Sequence, residues 1–148
     1  MLIFKIRSFN DKARFCLRIL IPFLVIGFVS VAWADSSIPT KKQTSLKLYV
    51  NARQAWEKWS ANPDTTYILD VRTPAEYIFI GHAPMAVNIP IKFLNNTLNP
   101  MTLKPGMQSN ENFIANVKKK FKKTDTILVM CRSGSRSAAA VNLMAKAE

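Results

Sequence analysis

Apolar and polar positions follow one another along the chain in blocks typical of strands that alternate with helices. Apolar runs rich in β-branched residues predict buried strands at residues 67–71, 86–89 and Thr126–Met130, with a shorter strand at residues 48–50. Helical spacing of apolar residues predicts helices at residues 52–60, 74–81, 111–123 and 137–146. Strands that alternate with helices favour an α/β fold with a parallel sheet.

Local signals place two connections between these elements. Thr73 is a predicted N-cap, Pro74 takes the first helical position and Glu76 completes a capping box, while Gly81 ends the helix. Residues 91–110 are rich in Asn, Pro and Met and show no period. We expect a long irregular loop there, of the kind that is either functional or disordered.

The first 34 residues have the pattern of an export signal. A basic leader precedes an apolar run at residues 19–32, which is shorter than the ~20 residues that a membrane span needs. Ala32 and Ala34 supply small residues before a cleavage point at Asp35. We predict a signal peptide at residues 1–34, outside the fold, and export, most simply to a bacterial periplasm. A retained membrane anchor stays open as the alternative, because the leader is long.

The remaining chain is predicted to be a linker or loose arm at residues 35–47 and one small domain at residues 48–148. The full chain has a formal net charge of +12, and the part after residue 34 keeps an excess of Lys and Arg. A basic surface suits small anionic substrates. The lysines at residues 118–123 could bind an anionic membrane or nucleic acid, but a solvated helix face beside the helix C-terminal dipole is the favoured interpretation.

The candidate chemistry lies in the segment between the last predicted strand and the last predicted helix. Cys131 opens a short loop that also contains Arg132, Gly134 and Arg136. Backbone N–H groups, a helix N-terminus and two guanidinium groups favour a thiolate, and lowering a cysteine pKa by about two units corresponds to ~2.7 kcal/mol. Because Cys16 lies in the predicted leader, Cys131 would have no partner for an internal disulfide. We interpret Cys131 as a nucleophile; the alternative is a small buried hydrophobe.

Three motifs together resemble the rhodanese family in order and spacing. They are Leu69-Asp70-Val71-Arg72 followed by Pro74-Ala75-Glu76-Tyr77, Gly81-His82-Ala83-Pro84 with Asn88-Ile89-Pro90, and Cys131-Arg132-Ser133-Gly134-Ser135-Arg136-Ser137. The resemblance covers residues 48–148. It implies a rhodanese-like parallel sheet flanked by helices, and a sulfurtransferase. In that chemistry Cys131 takes a sulfur atom from a small anionic donor such as thiosulfate and passes it to cyanide or a thiol.

The resemblance also implies roles for the surrounding residues. The loop N–H groups would stabilise a persulfide, and Arg132 and Arg136 would bind the donor. The remaining substrate-binding candidates are Ser133, Gly134, Ser135 and Ser137, with Gly134 needed for the turn and Ser137 open to a capping role.

Three further residues carry an open choice between roles. Asp70 and Arg72 would support the site from behind, or form a plain structural ion pair, with Glu76 as a possible partner of Arg72. For His82 a structural hydrogen bond is favoured over general-base catalysis. We predict no metal and no cofactor, no nucleic-acid partner, and no stable membrane anchor after cleavage.

Two other function classes remain open. Cysteine phosphatases related to the rhodanese fold place five residues between their cysteine and arginine, whereas four residues separate Cys131 from Arg136 here. That spacing favours a loop sized for sulfur. Non-catalytic rhodanese-like binding modules commonly lack the cysteine, which this chain keeps.

The resemblance leads to one expectation about the end of the chain. Rhodanese domains usually continue past the active-site helix into a strand that lies between the first strand and the active-site strand, whereas this sequence stops at Glu148. We therefore expect the last strand and helix to be missing. One edge of Thr126–Met130 and residues 48–50 would then be unpaired, which predicts low stability.

Overall fold

The computed structural model describes residues 3–6 and 38–147. Its strands are β1 (Ile3–Ile6), β2 (Tyr49–Val50), β3 (Thr66–Asp70), β4 (Ala86–Asn88), β5 (Lys92–Leu98), β6 (Pro105–Ser109) and β7 (Thr126–Met130). Its helices are α1 (Ala52–Ala61), α2 (Pro74–Phe79), α3 (Phe113–Lys120) and α4 (Ser135–Lys146), preceded by a short 3-10 helix at Thr40–Lys42. Apart from Ile3–Ile6, the predicted signal peptide and Cys16 lie outside the described residues.

The main sheet has five strands in the order β2-β1-β7-β3-β4. Strand β3 runs parallel to both β4 and β7, so the predicted α/β class with a parallel sheet is confirmed. The register places Asp70 opposite Met130 on one side and opposite Asn88 on the other. The carboxyl ends of these three strands therefore meet at one edge of the sheet, where the loops after them come together.

One prediction about the sheet is wrong. The expected unpaired edge between β2 and β7 is occupied by β1, in which Ile3 lies opposite both Val50 and Met130. Strand β1 is antiparallel to both neighbours, and it comes from the segment that was expected to lie outside the fold. An open edge presents unpaired N–H and C=O groups, and a strand of either direction can satisfy them.

Helices pack on both faces of the sheet. Because both faces of the central strands are buried, their sequences are continuous apolar runs. On one face α3 and α4 pack with β3 and β7 around Leu69, Val129, Phe113 and Val141. On the other face α1 and α2 pack over Ile68, Leu128 and Ala55. No helix within residues 38–147 has the length and apolar character that crossing a membrane requires.

The segment before β2 is docked on the domain, in contrast to the loose arm predicted for residues 35–47. Within its described part, the Ser45 backbone N–H donates to Asn142 Oδ1 of α4 at 2.9 Å. Leu46 packs against the core, and Thr44 is buried. This contact could not be predicted from the sequence, because a segment without apolar periodicity can still pack through single residues.

The stretch 91–110, predicted to be an irregular loop, forms the β5–β6 hairpin. Leu94 lies opposite Met107 and Leu98 opposite Pro105, with a bulge between the two pairs. Gly106 fits there because a Cβ at this position would collide with the side chains of Asn95 and Thr97. The base of the hairpin is closed by the Asn110 N–H, which donates to Ile91 O at 3.0 Å. The strands were not predicted because the segment is rich in Asn, which is uncommon in strand interiors.

Candidate active site

The site is built by the turn that joins β7 to α4. The buried strand ends at Met130, Cys131 follows with none of its surface exposed, and α4 begins at Ser135. So short a connection requires the chain to reverse at Gly134, which has a φ of +100° that other residues rarely adopt. The helix begins two residues earlier than predicted, so Arg136 and Ser137 lie in its first turn.

The Cys131 sulfur is surrounded by hydrogen-bonding groups of this turn. The backbone N–H of Gly134 donates to Sγ at 3.1 Å and that of Ser137 at 3.4 Å. In the neutral form the Cys131 thiol donates to the Ser137 hydroxyl oxygen at 3.4 Å, and that hydroxyl donates to Gly134 O at 3.0 Å. When Cys131 is ionised, rotation of the hydroxyl lets it donate to Sγ instead. The predicted loop of donors around the sulfur is therefore present, and it is made mainly by backbone groups.

These contacts lower the pKa of the Cys131 thiol below its ordinary value. Burial is the largest influence and acts in the opposite direction, because it disfavours the charged thiolate. The hydrogen bonds from the Ser137 side chain and from the backbone of Ser137, Gly134 and Ser133 together outweigh it. The sulfur is thus prepared to act as a nucleophile.

The two arginines of the loop have different environments. Arg132 and Ser133 are exposed beside the buried sulfur, and Ser135 is half-buried. Arg136 instead binds Glu76 of α2 through both terminal nitrogens, at 2.5 and 2.7 Å. Both arginines were predicted to bind the anionic donor, and for Arg136 this stays a prediction, because its guanidinium is held in an ion pair with Glu76 that partly neutralises its charge.

Glu76 is the residue of the site whose role the sequence did not reveal. It closes the predicted capping box, since its carboxylate accepts from the Thr73 backbone N–H and the Thr73 hydroxyl accepts from the Glu76 N–H. The Arg136 hydrogen bonds, opposed by burial and assisted by Thr73, lower the pKa of Glu76 to about 2. One carboxylate thus ties the start of α2 to the start of α4, and only the capping half of that role has a sequence signal.

Asp70 and Arg72 form a buried ion pair with each other, so the suggested pairing of Arg72 with Glu76 is wrong. Arg72 Nη2 lies 2.6 Å from Asp70 Oδ2, and Nε lies 2.8 Å from the same oxygen. Arg72 Nη2 also donates to Gly81 O at 2.8 Å. The pair raises the pKa of Arg72, chiefly through the Asp70 hydrogen bond. It fixes the loop after β3 against the end of α2.

His82 makes a structural contact, as predicted. Its ring stacks on the Tyr77 ring with centroids 3.5 Å apart, and Nδ1 lies 2.9 Å from Tyr77 O. Among residues 3–6 and 38–147, no three His, Cys, Asp or Glu side chains are grouped so that they could hold a metal ion.

Comparisons with known proteins agree with this geometry. The family description "Rhodanese-like domain" matches residues 51–148, which include every site residue described above. Thiosulfate sulfurtransferase 16, a chloroplastic protein of Arabidopsis thaliana, is 41% identical over 69 residues, which cover 47% of this chain and 50% of that protein. The family match covers about two thirds of this chain, whereas the alignment with this relative covers 47% of it.

Two further relatives have lower coverage of their own length. The senescence-associated protein DIN1 of Raphanus sativus is 39% identical over 69 residues, covering 47% of this chain and 33% of the relative. Rhodanese-like domain-containing protein 15 of Arabidopsis thaliana, also chloroplastic, is 38% identical over the same coverage. The alignments therefore span between a third and a half of these curated relatives.

The Ser137 hydroxyl provides a first test of the site. In Ser137→Ala the sulfur loses its only side-chain hydroxyl contact among the described residues, so we expect the pKa of Cys131 to rise. The rate of iodoacetamide alkylation against pH should shift to higher pH, with Ser135→Ala as the control that stays at the wild-type midpoint. Superimposable profiles for wild type and Ser137→Ala would contradict the assignment.

The Glu76–Arg136 pair predicts a pH dependence of stability. Because the folded-state pKa of about 2 is below the ordinary value of 4.5, the pair stabilises the fold above pH 4.5 and loses this effect as the pH falls towards 2. Glu76→Gln should lower the free energy of unfolding by about 1–3 kcal/mol at pH 7. Urea unfolding of both proteins between pH 7 and pH 2.5 should give curves that converge at low pH. A constant difference across this range would argue against the ion pair.

Proposed function

This chain belongs to the rhodanese-like domain family, and on that premise we propose that it is a sulfurtransferase acting through a persulfide on Cys131. The observation that supports this most directly is the Gly134 N–H placed 3.1 Å from a fully buried Cys131 sulfur. A nucleophile held in this way is stabilised as an anion without a neighbouring base. The printed name of the thiosulfate sulfurtransferase among the relatives supports the same proposal.

The proposed reaction has two displacement steps. In the first, the Cys131 thiolate attacks the outer sulfur of thiosulfate, the S–S bond of the donor breaks, and sulfite leaves with the bonding electron pair. Cys131 then carries a persulfide whose terminal sulfur is negatively charged. In the second step cyanide or a thiolate attacks that terminal sulfur, and Cys131 leaves as the thiolate. No net oxidation or reduction of the protein results from the cycle.

The loop supports each step through its backbone. The Gly134 and Ser137 N–H groups that contact Sγ stabilise the attacking thiolate, and the same donors would stabilise the negative charge of the persulfide. Exposed Arg132 is the proposed first contact for the anionic donor and for departing sulfite. Arg136 contributes by fixing the first turn of α4 to Glu76, which keeps the Ser137 N–H and hydroxyl in position. Asp70 and Arg72 support the neighbouring loop.

Thiosulfate should add the mass of one sulfur atom to Cys131, and cyanide should then remove it as thiocyanate. Cys131→Ser should show neither step, because a serine alkoxide is not formed at neutral pH. Intact-protein mass spectrometry before and after each reagent, with a colorimetric thiocyanate assay, measures both. A Cys131→Ser protein with full turnover would overturn the proposal. Hydrolysis of an aryl phosphate in place of sulfur transfer would favour the phosphatase, and a wild type inert to both would favour a binding module.

We also propose that the chain is exported and cleaved after Ala34, on the basis of its basic leader, apolar run and small residues before Asp35. Cleavage would remove β1 and leave edges of β2 and β7 without this partner. The N-terminal sequence of the protein recovered from a periplasmic fraction should begin at Asp35. The processed form should also unfold at a lower urea concentration than the full chain, with a free energy of unfolding lower by at least about 2 kcal/mol. An intact leader in the recovered protein would favour the membrane-anchor alternative.

A further inference from the structure

The β5–β6 hairpin exposes large apolar side chains that the proposed chemistry does not use. Exposure increases along it: Leu94 and Met107, an adjacent cross-strand pair, are just under half exposed. Beyond them Leu98 is 61%, Leu103 75% and Met101 88% exposed. We call these last three residues the hairpin tip. Clusters of exposed apolar side chains commonly mark interaction surfaces, and this one lies at the turn end of the hairpin.

The backbone N–H groups of the turn form hydrogen bonds with groups of the turn itself. The Asn99 side chain accepts from the N–H groups of Met101 and Thr102, each at 3.0 Å. The Leu103 N–H donates to Asn99 O, and the Asn99 N–H donates to Lys104 O. Pro100 has no N–H. Every backbone donor from residue 99 to residue 103 is therefore paired or absent, so moving the turn out of water leaves no N–H group without a partner.

Leu103 indicates that this turn is not arranged for stability alone. Its φ of +52° lies in the left-handed region, where glycine and asparagine are favoured and a branched side chain is strained. The same leucine is three-quarters exposed, so burial within the domain does not compensate for the strain. Contact of this side chain with an apolar phase outside the domain would compensate.

Positive charge surrounds the hairpin. Lys92 and Lys104 lie on it, and residues 92–109 include no Asp or Glu. At its base Phe93 and Asn110 line a groove together with Lys119 and Lys120 of α3, which belong to the lysine run noted in the sequence. The one carboxylate that follows directly along the chain is Glu111. The electrostatic surroundings of the hairpin thus favour an anionic surface.

We propose that the hairpin tip inserts into the interfacial region of an anionic phospholipid membrane, while the lysines at and beside the hairpin contact the headgroups. The boundary between headgroups and acyl chains accommodates this combination of features. The apolar tip side chains enter the acyl region, the paired N–H groups leave no donor unsatisfied there, and the flanking lysines contact the headgroups. A protein partner would be met more naturally by a broad apolar patch with a polar rim. The contact is peripheral and reversible, and it is independent of sulfur transfer.

The test is co-sedimentation of the full chain with vesicles of equimolar phosphatidylcholine and phosphatidylglycerol. The double variant Met101→Asn, Leu103→Asn removes two tip side chains, and asparagine tolerates the backbone conformation at residue 103. We expect its partition coefficient to fall by about tenfold or more. Trp56→Gln, which removes an exposed apolar side chain from α1 on the opposite sheet face, is the control and should remain within about twofold. The leader is common to all variants, so these differences report on the hairpin.

Two further measurements separate the possible occupants. Lys92→Gln with Lys104→Gln should weaken binding to the anionic vesicles and leave the weaker binding to pure phosphatidylcholine unchanged. A tryptophan introduced by Met101→Trp should add a blue-shifted emission that brominated lipids quench.

Equal partitioning of wild type and the tip double variant would overturn the proposal. So would self-association that the double variant abolishes, because it would assign the tip to a second copy of the chain. Cyanide-dependent turnover should be unaffected in every variant.

Discussion

A fully buried sulfur atom whose surroundings favour its ionised form is the feature on which the arrangement around Cys131 depends. Burial alone would favour the neutral thiol, so the surrounding donors must outweigh it. Side chains large enough to do this would occupy the space around the sulfur. The chain instead uses the backbone of a strand-to-helix turn, and the reversal at Gly134 brings the Gly134 and Ser137 N–H groups to the same sulfur.

Such a turn keeps its geometry only if the helix behind it is fixed. Ala138, Val141 and Met144 bury one side of α4 on the sheet, which sets its distance and tilt. The Arg136–Glu76 pair then sets the position of the first turn relative to α2. An ion pair with little exposure is a weak source of net stability, but it is directional, and removing one partner leaves the other charge uncompensated. Orientation is therefore its main contribution here.

The domain consequently has two parts with different physical requirements. Around the sheet, apolar side chains are buried on both faces, and the buried charges of Asp70 and Arg72 are paired with each other. The hairpin satisfies its own turn by local hydrogen bonds and leaves apolar side chains in solvent. The hairpin forms its own two-stranded sheet, separate from the main sheet. A small chain can therefore combine a rigid site around Cys131 with the proposed membrane-contacting surface on the hairpin.

Local rules were sufficient for much of this molecule. The apolar runs at β3, β4 and β7, the capping box at Thr73 and Glu76, and the loop from Cys131 to Ser137 could all be predicted, because each depends on residues close together in sequence. The hairpin was missed because its strands carry Asn and Pro in place of the usual β-formers, and cross-strand pairing supplies the stability that composition does not show.

Only the tertiary structure decided which charged side chains pair with each other and which strands are neighbours. Whether Arg72 binds Asp70 or Glu76, and whether Arg136 faces the sulfur or α2, depends on how α2 and α4 are brought together by the sheet between them. The same holds for β1, whose place between β2 and β7 follows from a gap that exists only once the other strands are assembled. The sequence by itself determined the strand, the turn and the candidate nucleophile. The distances between charges far apart in the chain were decided by packing, since Coulomb and hydrogen-bond energies depend on separations that no local pattern encodes.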